Sequence, residues 1–181
     1  MAILRRKTAN PNDPKSIASA NLTNPESVFK LAQNMGLKTI PFDLDSFVLK
    51  LGIVLHKTIL PNDISGKLEK NRDNIWEITI NSLHHPKRQR FTLAHELGHY
   101  FLHRNRCSLF TDKTLYRSSN MDTMEYEANN FAGALLMPRD KLTQFIKDNG
   151  SDIDKIADYF FVSALAAKIR VELINKDYYA Y

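Results

Sequence analysis

Apolar residues recur at helical spacing once a polar N-terminal stretch has passed. Residues 1–21 are polar, basic and interrupted by prolines, without apolar periodicity, and we interpret them as an arm rather than a helix or strand. A first helix is predicted from Asn24, which can cap it, to Gly36, which ends it. A second helix is predicted over residues 43–51, where the apolar residues form one stripe before Gly52.

The pattern then changes to short apolar runs that are typical of strands. Three strands are predicted, at residues 53–56, 67–70 and 75–81, with turn signals between them. Because three strands are too few for a doubly wound sheet, we expect a small antiparallel sheet covered by helices on one face. The predicted fold class is α+β, mainly helical, with a small three-stranded antiparallel sheet and a helical C-terminal lobe.

Helical periodicity returns in the second half of the chain. One helix is predicted over residues 86–103, and the polar stretch 104–121 that follows is long enough to predict a functional loop or flap. Another helix is predicted over residues 122–137, where Pro138 stops it. Two or three short helices are expected after it. We therefore divide the chain into a basic N-terminal arm (1–22), a body (23–138), a small helical C-terminal lobe (139–175) and a tail (176–181).

Composition limits the class of protein. The chain has 181 residues, 43% of them hydrophobic and 25% charged, which is ordinary for a globular domain and excludes a disordered or fibrous protein. Cys107 is the single cysteine, so an internal disulfide is excluded. No apolar run is long enough for a signal peptide or a membrane span, so we expect a cytoplasmic protein. The net charge of +5 permits a nucleic-acid partner without requiring one.

The candidate chemistry lies in the helix predicted over residues 86–103, which contains the sequence His95-Glu96-Leu97-Gly98-His99. Residues four apart lie on the same face of a helix, so both imidazoles can bind one metal ion. Glu96 is rotated by about 100° from His95, where it can accept a proton from a water molecule at the metal. This is the HExxH pattern of zinc hydrolases. His95 and His99 are therefore predicted metal ligands, and Glu96 the predicted general base.

A third protein ligand is needed, and we predict Glu127 for that role. Glu125 has capping-box spacing from Asp122, so we assign it to the helix N-terminus. Glu127 shares its helix face with Asn130, which could hold a ligand histidine through its second ring nitrogen or stand in solvent. The other histidines near the motif and the cysteine are assigned structural, surface or supporting roles: His84, His85, His103 and Cys107.

Small residues on the two helices would allow the approach that this ligand set requires. Gly98 lies between the paired histidines, and Ala128 opens a run rich in small residues on the other helix. The residue that would stabilise the oxyanion stays open among these candidates: Tyr100, His103, Arg117 and Tyr126. Zinc suits two imidazoles and a carboxylate best, although manganese or iron would fit the same ligands.

Two long runs resemble one known family. Residues 88–103 read RQRFTLAHELGHYFLH and residues 125–138 read EYEANNFAGALLMP, and both resemble the ImmA/IrrE family of zinc metallopeptidases over about residues 25–172. The resemblance implies a zincin-like body with one Zn²⁺, held by His95, His99 and Glu127, and Glu96 as the general base.

The same resemblance implies a function and a partner. Members of the family are bacterial or phage proteins that cleave a helix-turn-helix repressor and so derepress a mobile element or a stress regulon, and others form toxin–antitoxin-like pairs with such a regulator. We therefore expect a zinc-dependent endopeptidase that hydrolyses a peptide bond in a helix-turn-helix (Xre-type) regulator. Zincins bind the peptide as an added strand; the candidate edge is residues 78–81, with residues 104–121 as a flap.

Two other functions compete with this one. Residues 153–172 approximate a helix-turn-helix, but Phe161 stands where the turn favours glycine. The second helix would begin Ser163-Ala-Leu-Ala-Ala, which has few side chains able to read base edges. We therefore favour a structural or repressor-docking role for this segment over direct DNA binding. The other alternative is a zinc-binding regulator or toxin that acts by forming a complex with the regulator, without hydrolysis.

Overall fold

The computed structural model describes residues 22–106, 108–113 and 119–179. Within these ranges the chain forms seven helices and four strands. In chain order they are α1 (Pro25–Asn34), α2 (Leu44–Lys50), β1 (Val54–Thr58), β2 (Ile64–Lys70), β3 (Trp76–Asn81), α3 (Pro86–His103), β4 (Leu109–Lys113), α4 (Ser119–Leu136), α5 (Arg139–Asn149), α6 (Ile153–Phe160) and α7 (Ala164–Tyr179). The predicted α+β class is confirmed.

The four strands form one mixed sheet in the order β1-β3-β2-β4. Strand β3 pairs in parallel with β1 and antiparallel with β2, and β2 pairs antiparallel with β4. The predicted sheet is therefore wrong in two respects, its strand number and its wholly antiparallel pairing. Strand β4 was not predicted because it lies inside the polar stretch 104–121, and within the strand only Leu109 and Phe110 are large and apolar, with no alternation after them.

The pairing also changes which strands lie at the edges of the sheet. Strand β3 is hydrogen-bonded on both sides, so residues 78–81 are central and the prediction that they form a free edge is wrong. The edges of this sheet are β1 and β4. The predicted flap over residues 104–121 is corrected in part, because residues 109–113 are a strand; residues 107 and 114–118 lie outside the described part of the chain.

Helix α3 lies at the centre of the molecule. It packs against β2 and β3 on one side and against α4 on the other. Leu68 and Ile78 from the sheet are fully buried, as is Leu97 from the helix. This explains why α3 has no wide polar stripe, since burial on two sides requires apolar or paired residues around most of its circumference.

The helix ends follow local signals in the sequence. The Oδ1 atom of Asn24 accepts a hydrogen bond from the backbone N–H of Glu26 at 2.8 Å, and Nδ1 of His85 accepts one from the backbone N–H of Lys87 at 3.2 Å. These contacts satisfy N–H groups that have no partner within the first helical turn. The bounds predicted for α3, residues 86–103, are confirmed.

The C-terminal segment forms three helices, as predicted. Gly150, with φ of 83°, follows the last residue of α5, and Phe161, with φ of 54°, follows the last residue of α6. Leu142, Ile156 and Phe160 belong to the same core cluster as the apolar residues of α3 and the sheet. The division into a body (23–138) and a lobe (139–175) stays a prediction, and residues 1–21 of the arm lie outside the described chain.

Helix α7 continues to Tyr179, beyond the residue at which we placed the start of the tail. Among the residues that the structure describes, no helix combines the length and apolar character needed to cross a membrane.

Candidate metal centre

The motif residues of α3 are buried in the centre of the protein. His95 is 3% exposed, Glu96 0%, and His99 and His103 1% each. Polar side chains are rarely this buried unless they are paired. Their surroundings therefore have to supply partners, and for His95, His99 and His103 these include side chains of α4.

A close approach between α3 and α4 brings these partners within reach. A Cβ atom built at Gly98 would lie 3.0 Å from Cα and 3.1 Å from the carbonyl oxygen of Ala128. A side chain at this position would be crowded, because such distances are shorter than normal carbon contacts of about 3.5–4.0 Å. The two helices meet closely at Gly98 and Ala128 as expected, but this approach does not bring Glu127 to the paired histidines.

Two imidazoles and one carboxylate converge at this contact. The Nε2 atoms of His95 and His99 lie 3.0 Å apart. The Glu125 carboxylate places Oε2 3.1 Å from Nε2 of His95 and Oε1 3.3 Å from Nε2 of His99. Within the described ranges, His95, His99 and Glu125 form a group whose ligand atoms all lie within 4.8 Å of one another.

This donor set fits a zinc ion. Ligands on a tetrahedral zinc with Zn–N bonds of about 2.1 Å are separated by about 3.4 Å, close to the distances between these nitrogens and oxygens. Nδ1 of His95 lies 3.1 Å from Oδ1 of Asn129; since an amide oxygen only accepts, this ring nitrogen donates, and Nε2 keeps its lone pair. The centre therefore gathers acceptor atoms around one point, which is the arrangement that a cation stabilises.

Glu127 is not brought to this group, so the structure departs from the predicted ligand set. Its Oε2 atom lies 2.8 Å from Nε2 of His103, and Glu125 occupies the position beside His95 and His99. The prediction differs because it began α4 at Asp122, whereas the helix begins at Ser119. Glu125 then falls in the second helical turn, outside the reach of a capping box, and two residues along a helix rotate Glu127 by about 200° from it.

Electrostatics keep the carboxylate of Glu125 charged. Burial acts to raise its pKa, but His95 and His99, through the hydrogen bonds and positive charge that their imidazoles supply when protonated, together outweigh burial and lower the pKa from 4.5 to about 2. Burial also lowers the pKa of His99 below 6.5, although Glu125 opposes this effect. Metal binding needs an ionised carboxylate and a neutral imidazole, and the lowered pKa values of Glu125 and His99 favour these forms.

Glu96 lies on the side of α3 that faces the sheet. A Cβ atom at Gly66 in β2 would lie 2.9 Å from Oε1 of Glu96 and 2.6 Å from Cγ2 of Thr92. The missing side chain at Gly66 therefore leaves room for the Glu96 carboxylate beneath β2. Among the described residues, the group that could hold a metal contains His95, His99 and Glu125; the role of Glu96 as general base stays a prediction.

Comparison with known proteins identifies the family. The model of the peptidase M78 family, described as the IrrE N-terminal-like domain, matches residues 49–172. The chain belongs to this family. The match contains the HExxH helix, the edge strand β4 and Glu125, so every residue of the metal centre lies within it.

Individual relatives agree with this assignment. Metallopeptidase ImmA of Bacillus subtilis (strain 168) is 33% identical over 124 residues, which span 65% of this chain and 70% of the relative. The "Uncharacterized immunity region protein 2" of Bacillus phage phi105 is 32% identical over 118 residues, with the same coverage of 65% and 70%. A solved structure described as a Mycobacterium tuberculosis transcriptional regulator has a TM-score of 0.55 and 17% identity over 79% of this chain. This chain spans 44% of that regulator's length, and the likeness shows a shared fold.

The remaining sequence-based assignments in this M78 family member have mixed outcomes. Asn129 holds the ligand histidine, one residue from the Asn130 that we expected. Tyr100 is buried, with the Arg104 guanidinium 4.6 Å from its ring centroid, whereas Tyr126 is exposed. Arg117 and Cys107 lie outside the described residues. The oxyanion-stabilising residue stays open.

Strand β4 was the main feature of the site that sequence reasoning missed. The ring of Phe110 in β4 stacks on the ring of His99, with centroids 4.7 Å apart and an angle of 15° between the planes. The sheet edge beside the metal centre is therefore β4. The adjacent apolar pair Leu109-Phe110 was the available sequence signal, and it was too short to indicate a strand by itself.

Proposed function

We propose that this protein is a zinc-dependent endopeptidase. One observation carries the proposal: His95, His99 and Glu125 converge at distances that fit one zinc ion, on the helix that also carries Glu96. Membership of the M78 peptidase family supports a metallopeptidase. A zinc site with three protein ligands keeps an open position, which is typical of catalytic rather than structural zinc.

The residues of the metal centre would have different roles in hydrolysis. When bound, zinc polarises the scissile carbonyl and lowers the pKa of a water molecule to about 7. His95, His99 and Glu125 hold the ion, while Glu96 accepts the proton of the attacking water and passes it to the departing amine. The complete burial of Glu96 keeps its carboxylate away from competing bulk water.

We propose that the substrate is a helix-turn-helix regulator in the cytoplasm. Strand β4 has a free edge in the described sheet, beside His99, and an extended peptide can add there through backbone hydrogen bonds. An apolar groove of about 620 Å³ contains Asn129, which bonds His95, and continues to Phe91, Leu165 and Ile169. This groove gives a protein partner a surface that continues up to the metal centre.

The same groove argues against DNA as the partner. Leu165 at the start of α7 is 68% exposed and Ile169 is 49% exposed. These positions would face the bases if α7 were a recognition helix, and leucine and isoleucine cannot read base edges by hydrogen bonding. An apolar helix face is better suited to contact with a protein.

The direct test is cleavage of the helix-turn-helix protein encoded beside this chain. The two purified proteins are mixed with zinc, and we expect metal-dependent fragments. Glu96→Gln should bind zinc as the wild type does while producing no fragments. A tight stoichiometric complex without cleavage, across the common divalent metals, would show that the protein acts by complex formation and would overturn the peptidase proposal.

A matched pair of variants tests the ligand assignment. Structural zinc sites with four ligands are worth about 10–16 kcal/mol, or about 2.5–4 kcal/mol per ligand, so Glu125→Gln should weaken zinc binding by about 10²–10³-fold. Glu127→Gln removes a carboxylate two residues away and should weaken binding by about tenfold at most. A larger loss in Glu127→Gln than in Glu125→Gln would restore Glu127 as the ligand.

A further inference from the structure

A chain of buried hydrogen bonds continues from the metal centre to the surface of α4. Nδ1 of His99 lies 3.0 Å from Nδ1 of His103, and Nε2 of His103 lies 2.8 Å from Oε2 of Glu127. We propose that His103 and Glu127 are positioning residues that fix the tautomer and orientation of His99 for metal binding. This inference rests on the metal centre proposed above and gives a role to two residues outside the ligand group.

The direction of each hydrogen bond follows from the chemistry of the groups. A carboxylate can only accept, so Nε2 of His103 donates its proton to Glu127. In a neutral imidazole the other nitrogen is then an acceptor, so Nδ1 of His103 accepts from Nδ1 of His99. His99 therefore carries its proton on Nδ1. Its Nε2 lone pair points at His95 and Glu125, as a metal ligand requires.

The surroundings of His103 hold this chain of hydrogen bonds in place. His103 is 1% exposed, so its ring has little access to bulk water, although its partner Glu127 lies partly in solvent. Phe110 stacks on His99 and also lies against His103, with ring centroids 6.1 Å apart. Strand β4 therefore holds both rings from the side, while the hydrogen bonds from His99 to His103 and Glu127 hold their nitrogens. Buried hydrogen bonds of this kind are stronger than exposed ones.

The two ligand histidines are thus held by different groups. His95 bonds to the amide of Asn129, whereas His99 is linked through an imidazole to the side chain of Glu127, which is 47% exposed. Glu127 lies at the wall of a separate cavity of about 600 Å³ that also contains Arg106 and Tyr126. These hydrogen bonds therefore connect the buried metal centre to an exposed carboxylate on α4.

The first measurement is the tautomeric state of the histidines in the metal-free protein. Long-range ¹H–¹⁵N NMR spectra, recorded at mildly alkaline pH, distinguish a proton on Nδ1 from one on Nε2. We expect the Nδ1–H tautomer for His99 and the Nε2–H tautomer for His103. The opposite tautomers in the wild type would overturn the inference. Because no metal is present, this result does not depend on whether the protein is a peptidase.

Zinc affinity, measured by competition with a chromophoric chelator, is the second readout. His103→Phe removes both links and should weaken binding by about 10–100-fold, the usual cost of losing a group that orients a ligand. His103→Asn should recover most of this loss, because its amide oxygen can accept from Nδ1 of His99. Equal zinc affinity in His103→Phe and the wild type would overturn the inference, as would failure of His103→Asn to recover affinity.

A surface variant keeps the test valid if the buried substitutions disturb folding. Glu127→Leu changes a half-exposed side chain and should weaken zinc binding several-fold while shifting the His103 tautomer population. Glu172→Leu, at an exposed site on α7, is the matched control and should change neither. Identical effects of the two substitutions would overturn the role of Glu127. Failure of the wild type to bind zinc would instead overturn the proposed metal centre.

Discussion

The contact between Gly98 and Ala128 predicts that one methyl group will disturb the metal centre. In Gly98→Ala, the new Cβ would lie 3.0 Å from Cα and 3.3 Å from Cβ of Ala128. Because normal carbon contacts are about 3.5–4.0 Å, α3 and α4 must separate by several tenths of an ångström. Overpacking of this kind costs about 1–3 kcal/mol. The shift also moves Glu125 away from the histidines, so zinc affinity should fall together with stability.

Gly133→Ala is the matched control for this change. Gly133 also lies within α4, but a Cβ atom there meets only Cδ of Arg170, at the ordinary distance of 3.8 Å. Both substitutions gain up to about 1 kcal/mol of helix propensity, so the difference between them isolates the packing cost. Urea unfolding of the two metal-free variants should separate them by about 1–3 kcal/mol. If Gly98→Ala is as stable as Gly133→Ala and binds zinc as tightly, the close helix contact does not position the ligands.

Three further outcomes are expected. Gly66→Ala should displace the Glu96 carboxylate, because the new Cβ would lie 2.9 Å from its Oε1, and should slow cleavage by about 10–100-fold while zinc stays bound; unchanged cleavage would contradict the placement of Glu96. Acidification should lower the urea concentration at the unfolding midpoint of the metal-free protein in two pH ranges. A midpoint that rises as the pH falls below neutral would contradict this expectation. Burial holds the pKa of His99 below 6.5, so stability is lost as the pH falls from 6.5 because the unfolded chain binds the proton first. The pKa of Glu125 is lowered from 4.5 to about 2, so its contribution is lost between those values. Asp152→Ala removes hydrogen bonds to two backbone N–H groups at the start of α6 and should cost about 0.5–2 kcal/mol in thermal unfolding; no loss would show that the cap is not formed in solution.

The sequence predicted the parts of the molecule that depend on local rules. The bounds of α3 follow from Pro86 at its start and from helical spacing up to His103, and the two ligand histidines follow from a separation of four residues on one helix face. The close approach at Gly98 was also predictable, because a glycine between the histidines has no local reason to be there. These features need no knowledge of which elements pack together.

The parts that depend on tertiary structure were not predictable in the same way. The choice between Glu125 and Glu127 required the start of α4 to within one turn, and helix ends are among the least certain features in a sequence. Strand β4 forms because β2 offers it a partner, and its own five residues show no alternation. The parallel pairing of β1 with β3 depends on the order of the strands in the sheet. That order is a tertiary property, and no local sequence pattern predicts it.

Strand β4 also has a consequence for the order in which the protein folds. Its pairing joins Leu68 to Phe110, and the chain between them contains β3 and all of α3. That long loop has to close before the edge strand can form. Its closure costs conformational entropy, which is compensated only once the contacts between the strands have formed. Since Phe110 then stacks on His99, closing the loop and enclosing the ligand histidines are one event. The metal centre is therefore expected to form late in folding and in concert with the sheet edge, so zinc would bind a nearly complete fold and slow its unfolding.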